Sequence, residues 1–291
     1  MSLIDTCAGA VVVGVDGSED AEQALAWAAT QAALEARPLT IIHAAGLASL
    51  TGDEVDPAMV MAAVRAEGRA LVQRSAAAVA AREPDLEVRS ELVLTDPRVT
   101  LLEAAEHAHL VVVGSRGRGP VSSLLLGSVG VALSQHARCP VVVRRPHPPE
   151  DSGEGVLVGT DATDRSDPAV AWAFHQASLR RTPLTLVLTF FEAGPEGDVA
   201  EGEGGYDALW AQLREVADRF RPRFPDVEVV LRLRRGLADE ALTHAAASVE
   251  MVVLGHHVRR SIFGLLDLDV PHGVLVHAPR YVAVVRAPPG L

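Results

Sequence analysis

The chain has 291 residues, 48% of them hydrophobic and 22% charged, which argues against wholesale disorder and suits two domains of about 145 residues better than one. Its formal net charge of -12 would repel nucleic-acid backbones and anionic membrane surfaces, so neither is an expected partner.

All 26 basic residues are arginine. A phosphate loop of the GxxxxGK[ST] kind, kinase-type chemistry and Schiff-base chemistry each need a lysine, so those classes are excluded. No stretch reaches the roughly 18 to 20 apolar residues of a membrane helix, and Met1 to Ala10 has neither the basic start nor the apolar core of a secretion signal. The expected location is cytoplasmic. Cys7 and Cys139 form no CxxC pair and read as small buried hydrophobes. The eleven histidines show no metal-ligand spacing of the HExxH kind, so a metal centre is not expected from them.

The chain is one unit written twice. Asp16, Trp27 and Pro38 recur as Asp161, Trp172 and Pro183, each 145 residues on; Pro84, Asp85, Gly114 and His136 recur as Pro225, Asp226, Gly255 and His277, each 141 on. A four-residue deletion in the second copy accounts for the change. In chain order each copy predicts an apolar strand (Val11 to Val15; Val156 to Val158), an alanine-rich helix, and a second strand after Pro38 or Pro183. A helix follows (about Pro57 to Arg82; Tyr206 to Arg221), then a strand (Glu87 to Leu94; Glu228 to Leu233) and another helix (about Arg98 to Ala108; Ala238 to Ser248). An apolar strand (Leu110 to Val113; Met251 to Leu254), a last helix and a valine-rich strand (Val141 to Arg144; Val282 to Arg286) close the unit. Strands alternating with helices imply α/β architecture: two tandem doubly wound, Rossmann-like parallel-sheet domains, 1–146 and 155–291. The linker Arg145 to Gly155 is rich in proline, glycine and acids, and the loop from Glu192 to Gly205 reads as a mobile connector.

Ligands of open parallel sheets sit beyond the carboxyl ends of the strands. Gly114 stands at such an end, followed by Gly117 after two residues and by Gly127 and Ser128 after nine more. Glycines there let backbone amides approach an oxyanion or adopt positive φ. Ser128 reads as the N-cap of a helix from Val129 to Ala137, whose free amides and dipole would face the same spot, and Arg116 and Arg118 could neutralise phosphates. Each feature also has a plainer use. Asp16 with Gly17 and Ser18 could cap the first helix, the glycine loop could be a tight turn, Ser128 could be a cap alone, and the arginines could be solvated charges.

Gly-x2-Gly-x9-Gly-Ser after "VVVGSRG", with "VGVDGSE", "LTIIHA" and "HARCPVVV", resembles the universal stress protein family in its tandem-domain form, over nearly the whole chain. The resemblance implies an adenine nucleotide alpha hydrolase-like fold, binding of ATP with or without Mg, a stress-response role, and dimers formed through the last strand of each unit. It places Asp16 beside adenine and ribose or a metal, Ala44 at the adenine, Gly114, Ser115, Arg116 and Gly117 around ribose and phosphate, and Gly127, Ser128 and Val129 on the phosphates. The family pattern often has a hydroxyl at position 130, where this chain has Gly130.

In the second copy Gly117, Gly127, Ser128 and Gly130 become Val258, Leu268, Asp269 and Pro271. Asp269 would put a carboxylate where a phosphate sits and Pro271 removes a donor, so this copy should lack the phosphate site, and Asp161 reads as a helix cap. His256, His257, Arg259 and Arg260 read as solvated, with room for another anion. The sequence thus points to an ATP-binding regulator with one nucleotide per chain, an unidentified protein partner, and a homodimer or a pseudo-dimer of its two domains. A slow ATPase and a nucleotide-free pairing module are the alternatives.

Overall fold

The computed structural model describes residues 2–46, 56–117, 126–146, 153–256, 270–278 and 280–286. The chain divides into two units, Met1–Arg144 and Arg145–Leu291.

The first unit opens with a short helix, α1 (Leu3–Cys7), which the sequence reading did not contain; Ser2 and Asp5 close a capping box around its start. Its end is held to the sheet by the Thr40 hydroxyl, which donates to the Thr6 carbonyl at 2.7 Å. Then follow β1 (Val11–Gly14), α2 (Glu19–Leu34), β2 (Leu39–Ala44), α3 (Pro57–Arg82), β3 (Val88–Val93), α4 (Pro97–Ala105), β4 (Leu110–Gly114), α5 (Ser128–His136) and β5 (Val141–Arg144). The strands run in the order β3-β2-β1-β4-β5 and all pair in parallel. Val11 to Val13 and Leu110 to Val112 are fully buried, as strands covered by helices on both faces must be. The helix starts are chemically marked: Asp56 and Asp96 accept from the second amides of α3 and α4, and Pro57 and Pro97 occupy the first helical positions.

Strand order reverses direction between β1 and β4. That is the topological switch point of a doubly wound sheet, where the loops after neighbouring strands diverge and leave a crevice.

The second unit repeats the plan with β6 (Val156–Thr160), α6 (Asp167–Arg180), β7 (Leu184–Phe190), β8 (Gly197–Val199), α7 (Asp207–Phe220), β9 (Val229–Arg235), α8 (Ala238–Ala246), β10 (Met251–His256), α9 (Val270–His277) and β11 (Tyr281–Arg286). Its strands run β11-β10-β6-β7-β9-β8, parallel except for β8 against β9. The core between α6 and α7 centres on Phe174, stacked 5.6 Å from Phe220 and 5.7 Å from Phe224.

Two expectations for this unit are corrected. The stretch after Glu192 is not a bare connector: it contributes β8, and it is tied down where Asp198 meets Arg234 at 3.2 Å and where the Tyr206 hydroxyl donates to Glu192. Asp161 is not a helix cap, because α6 starts only at Asp167 after Ser166. Its carboxylate instead accepts from the Thr163 amide at 3.0 Å and the Thr163 hydroxyl at 2.8 Å. Among the described residues no helix is long and apolar enough to cross a membrane.

Candidate functional site

At the switch point of the first unit lies a cavity of about 510 Å³. It is within the size range of small-molecule sites. The nine residues that the family resemblance placed at the ligand all line it: Asp16 after β1, Ala44 at the end of β2, Gly114 to Gly117 from the end of β4, and Gly127 to Val129 at the start of α5. Arg118 lies outside the described residues.

The start of α5 differs from the expectation in one decisive respect. The N-cap of α5 is Gly127, not Ser128, and no side chain caps the helix. The first intrahelical bond runs from the Val131 amide to the Gly127 carbonyl at 3.1 Å, so the amides of Ser128, Val129 and Gly130 precede the ladder. All three residues line the cavity. Where Asp56, Asp96 and Ser18 close the starts of α3, α4 and α2 with a side chain, α5 presents its dipole and first-turn amides to the hollow. The amide of Gly127 is not among these donors, because it binds the Ser115 carbonyl at 2.8 Å.

Of the two uses expected of the glycines, positive φ is not found: none of Gly114, Gly117 and Gly127 takes a φ in the left-handed region. Gly114 is small because α2 crosses it: a Cβ would lie 2.8 Å from the Asp20 carbonyl carbon and 3.0 Å from the Ala21 nitrogen. A Cβ on Gly117 would lie 2.6 Å from Asp16 Oδ2, so that glycine lets the β4 loop close onto the carboxylate of the β1 loop. Positive φ is needed earlier, at Gly17 (φ 80).

Asp16 organises that earlier loop. Its Oδ1 accepts from the Ser18 amide at 2.9 Å and the Ser18 hydroxyl at 2.6 Å, and Ser18 in turn caps α2 through the Ala21 amide at 3.3 Å. The Ser18 hydroxyl also stands 3.3 Å from the Arg116 carbonyl, which links the two loops. Asp16 is therefore a cavity-lining carboxylate that also builds the turn, and the cap itself is Ser18.

Ser115 turns its hydroxyl away from the cavity. It is buried and donates to Asp20 at 2.9 Å, while its amide donates to the Arg144 carbonyl at 2.8 Å. The sequence reading missed Asp20. A carboxylate two residues past a cap serine looks like an ordinary first-turn acid, and only the crossing of α2 over β4 brings it under the loop.

Much of the remaining lining is apolar: Val15, Ile42, Pro97, Leu101, Val113 and Leu126. Pro97 and Leu101 are four apart on α4 and so share a face, a signal that the sequence held. Gly14 permits that helix to approach, since a Cβ there would meet Leu101 Cδ1 at 2.9 Å. His43 Nδ1 lies 2.7 Å from the Val15 carbonyl and anchors the end of β1.

Among the described residues no group of three or more His, Cys, Asp and Glu is placed to hold a metal ion. In the second unit Val258, Leu268 and Asp269 lie outside the described residues, as do His257, Arg259 and Arg260; Pro271 falls within α9.

An uncapped helix start and a largely apolar cavity at the switch point of a doubly wound sheet mark an α/β protein, built as a tandem pair, with a hollow of small-molecule size. The chain belongs to the universal stress protein family, whose model matches residues 9–145 and 154–286. It is 34% identical over 287 residues to a universal stress protein of Mycobacterium tuberculosis (strain ATCC 25618 / H37Rv), covering 94% of this chain and 96% of that one. A universal stress protein of Mycolicibacterium smegmatis is 31% identical over 286 residues, with 95% and 96% covered. The crystal structure of a universal stress protein from Archaeoglobus fulgidus has the same fold, with a TM-score of 0.68 at 18% identity over 98% of this chain and 99% of that one.

Proposed function

We propose that the first unit binds an adenine nucleotide, ATP in the first instance, and that occupancy of this one site per chain regulates the protein's association with a partner. The observation that carries this reading is the uncapped start of α5 opening into the 510 Å³ cavity. The phosphates belong against the amides of Ser128 to Gly130 and against Arg116, and the base against Ile42, Ala44 and Leu101. Charge-assisted hydrogen bonds contribute about 1.5 to 3 kcal/mol each. Three or four of them support micromolar affinity, about 8 kcal/mol, without a lysine. A magnesium ion would be held chiefly by the phosphates, with Asp16 the cavity carboxylate within the described lining. Asp16 and Arg116 are also the pieces that a slow ATPase would use, and ADP release over many turnovers distinguishes that alternative.

The test is calorimetric titration of the full chain with ATP, ADP, AMP and cyclic AMP, alongside mass spectrometry of any small molecule retained on native purification. One site per chain with micromolar ATP is the expected result. Two sites would show that the second unit also binds. No retained nucleotide together with a melting temperature unmoved by millimolar ATP would overturn the reading, because a ligand specific for the folded state must stabilise it. We place the family-type dimer, or pairing of the two units, in the same proposal, to be checked by sedimentation with and without ATP.

A further inference from the structure

Behind the phosphate-side wall lies a carboxylate with three unequal partners. Asp20, in the first turn of α2, is buried beneath the β4 loop. Its Oδ1 stands 3.2 Å from Arg144 Nη1, while its Oδ2 accepts from the Ser115 hydroxyl at 2.9 Å and stands 3.5 Å from Arg116 Nε. The Arg116 contact is the longest of the three and involves a single nitrogen. It is also the most solvated, since the Arg116 side chain is 43% exposed against 6% for Arg144. If Arg116 moves away, Asp20 keeps a hydrogen bond and a buried counter-charge.

Arg116 is also the one cationic residue in the described lining of the cavity. Asp20 and an anion in the cavity therefore draw on the same guanidinium. The arrangement is confined to the first copy, for at the repeat offsets Asp20 becomes Arg165, Ser115 becomes His256 and Arg144 becomes Val285.

We propose that Asp20 is an internal counter-ion that competes with the ligand's phosphates for Arg116, and so holds down the affinity of the site for charged ligands. This rests on the nucleotide reading of the cavity. In this competition the ligand's phosphate draws Arg116 off Asp20, so a ligand without phosphate gains nothing from Asp20's removal. A residue that merely shaped the loop would act with the opposite sign, because its loss would weaken binding of every ligand.

The experiment titrates ATP, tripolyphosphate and adenosine into the wild-type chain, into Asp20→Asn and into Asp20→Asn/Arg144→Gln. The double variant is included because asparagine alone leaves buried Arg144 without its counter-charge. Circular dichroism confirms folding. ATP and tripolyphosphate should bind roughly fivefold tighter in the folded variants, the scale of a partly exposed charge pair. Adenosine should be unchanged, and the gain should vanish when Arg116→Ala is added. Binding that is unchanged or weaker in a folded variant, or adenosine that tightens equally, overturns the proposal while ATP binding by the wild type keeps the nucleotide reading intact. A wild-type chain that binds neither ATP nor tripolyphosphate defeats both. Should the variants fail to fold, the wild-type Arg116 Nε–Hε resonance decides: it should shift with ATP and not with adenosine, and a resonance that ATP leaves in place overturns the proposal.

Discussion

Gly117 lies so close to Asp16 that a Cβ added to it would stand 2.6 Å from the Asp16 Oδ2 atom. The loops after β1 and β4 thus meet backbone to carboxylate across the mouth of the cavity. Gly117→Ala must push either the loop or Asp16 aside, and both line the cavity. ATP affinity should fall by about tenfold or more, equivalent to about 1.4 kcal/mol. The melting temperature should change little, since neither residue belongs to the core. Calorimetric titration with a parallel thermal melt checks this, and unaltered affinity would count against the proposed site.

Gly114→Ala should do the reverse. The atoms in its way are the backbone of Asp20 and Ala21, in a helix that cannot yield as a loop can. Overpacking of this kind costs about 1 to 3 kcal/mol. The expected outcome is a clear loss of stability in denaturant titration, with any change in binding secondary. Were Gly114→Ala as stable as the parent, the close crossing of α2 over β4 would be wrong.

The two thiols should be inert in the native protein. Burial pushes the Cys7 thiol up to about 11 and the Cys139 thiol up to about 12, far from the thiolate form that alkylating reagents require. Neither should react with iodoacetamide at pH 8 over an hour, and both should react fully in guanidinium. Rapid native labelling of either one would show local opening at that end of the sheet.

Much of this protein was written in periodicity. Short β-branched runs such as Val11 to Val13 and Leu110 to Val113 fit inner parallel strands buried on both faces, and the bounds of α3 follow from Asp56, Pro57 and the alanine-rich stretch between them and Arg82. The family and the tandem α/β architecture follow from the same local patterns, repeated at an offset of 145 residues and then of 141. The glycine spacing marked Gly114, Gly117 and Gly127, the family resemblance added Asp16 and Ala44, and all of them fall in the lining of the cavity.

What those residues do there was decided by elements far apart in the chain. Helix α5 starts from Gly127, whose amide binds the Ser115 carbonyl, so the cap that Ser128 would have supplied is missing and the first-turn amides are left facing the cavity. Asp20 reaches Ser115, Arg116 and Arg144 across some 95 to 124 residues of chain, and it does so only because α2 packs over β4 and β5. Hydrophobic pattern is a local property and is visible in one dimension. The pairing of a buried charge and the filling of a glycine's empty space depend on which distant backbone comes to lie alongside, and only folding sets that.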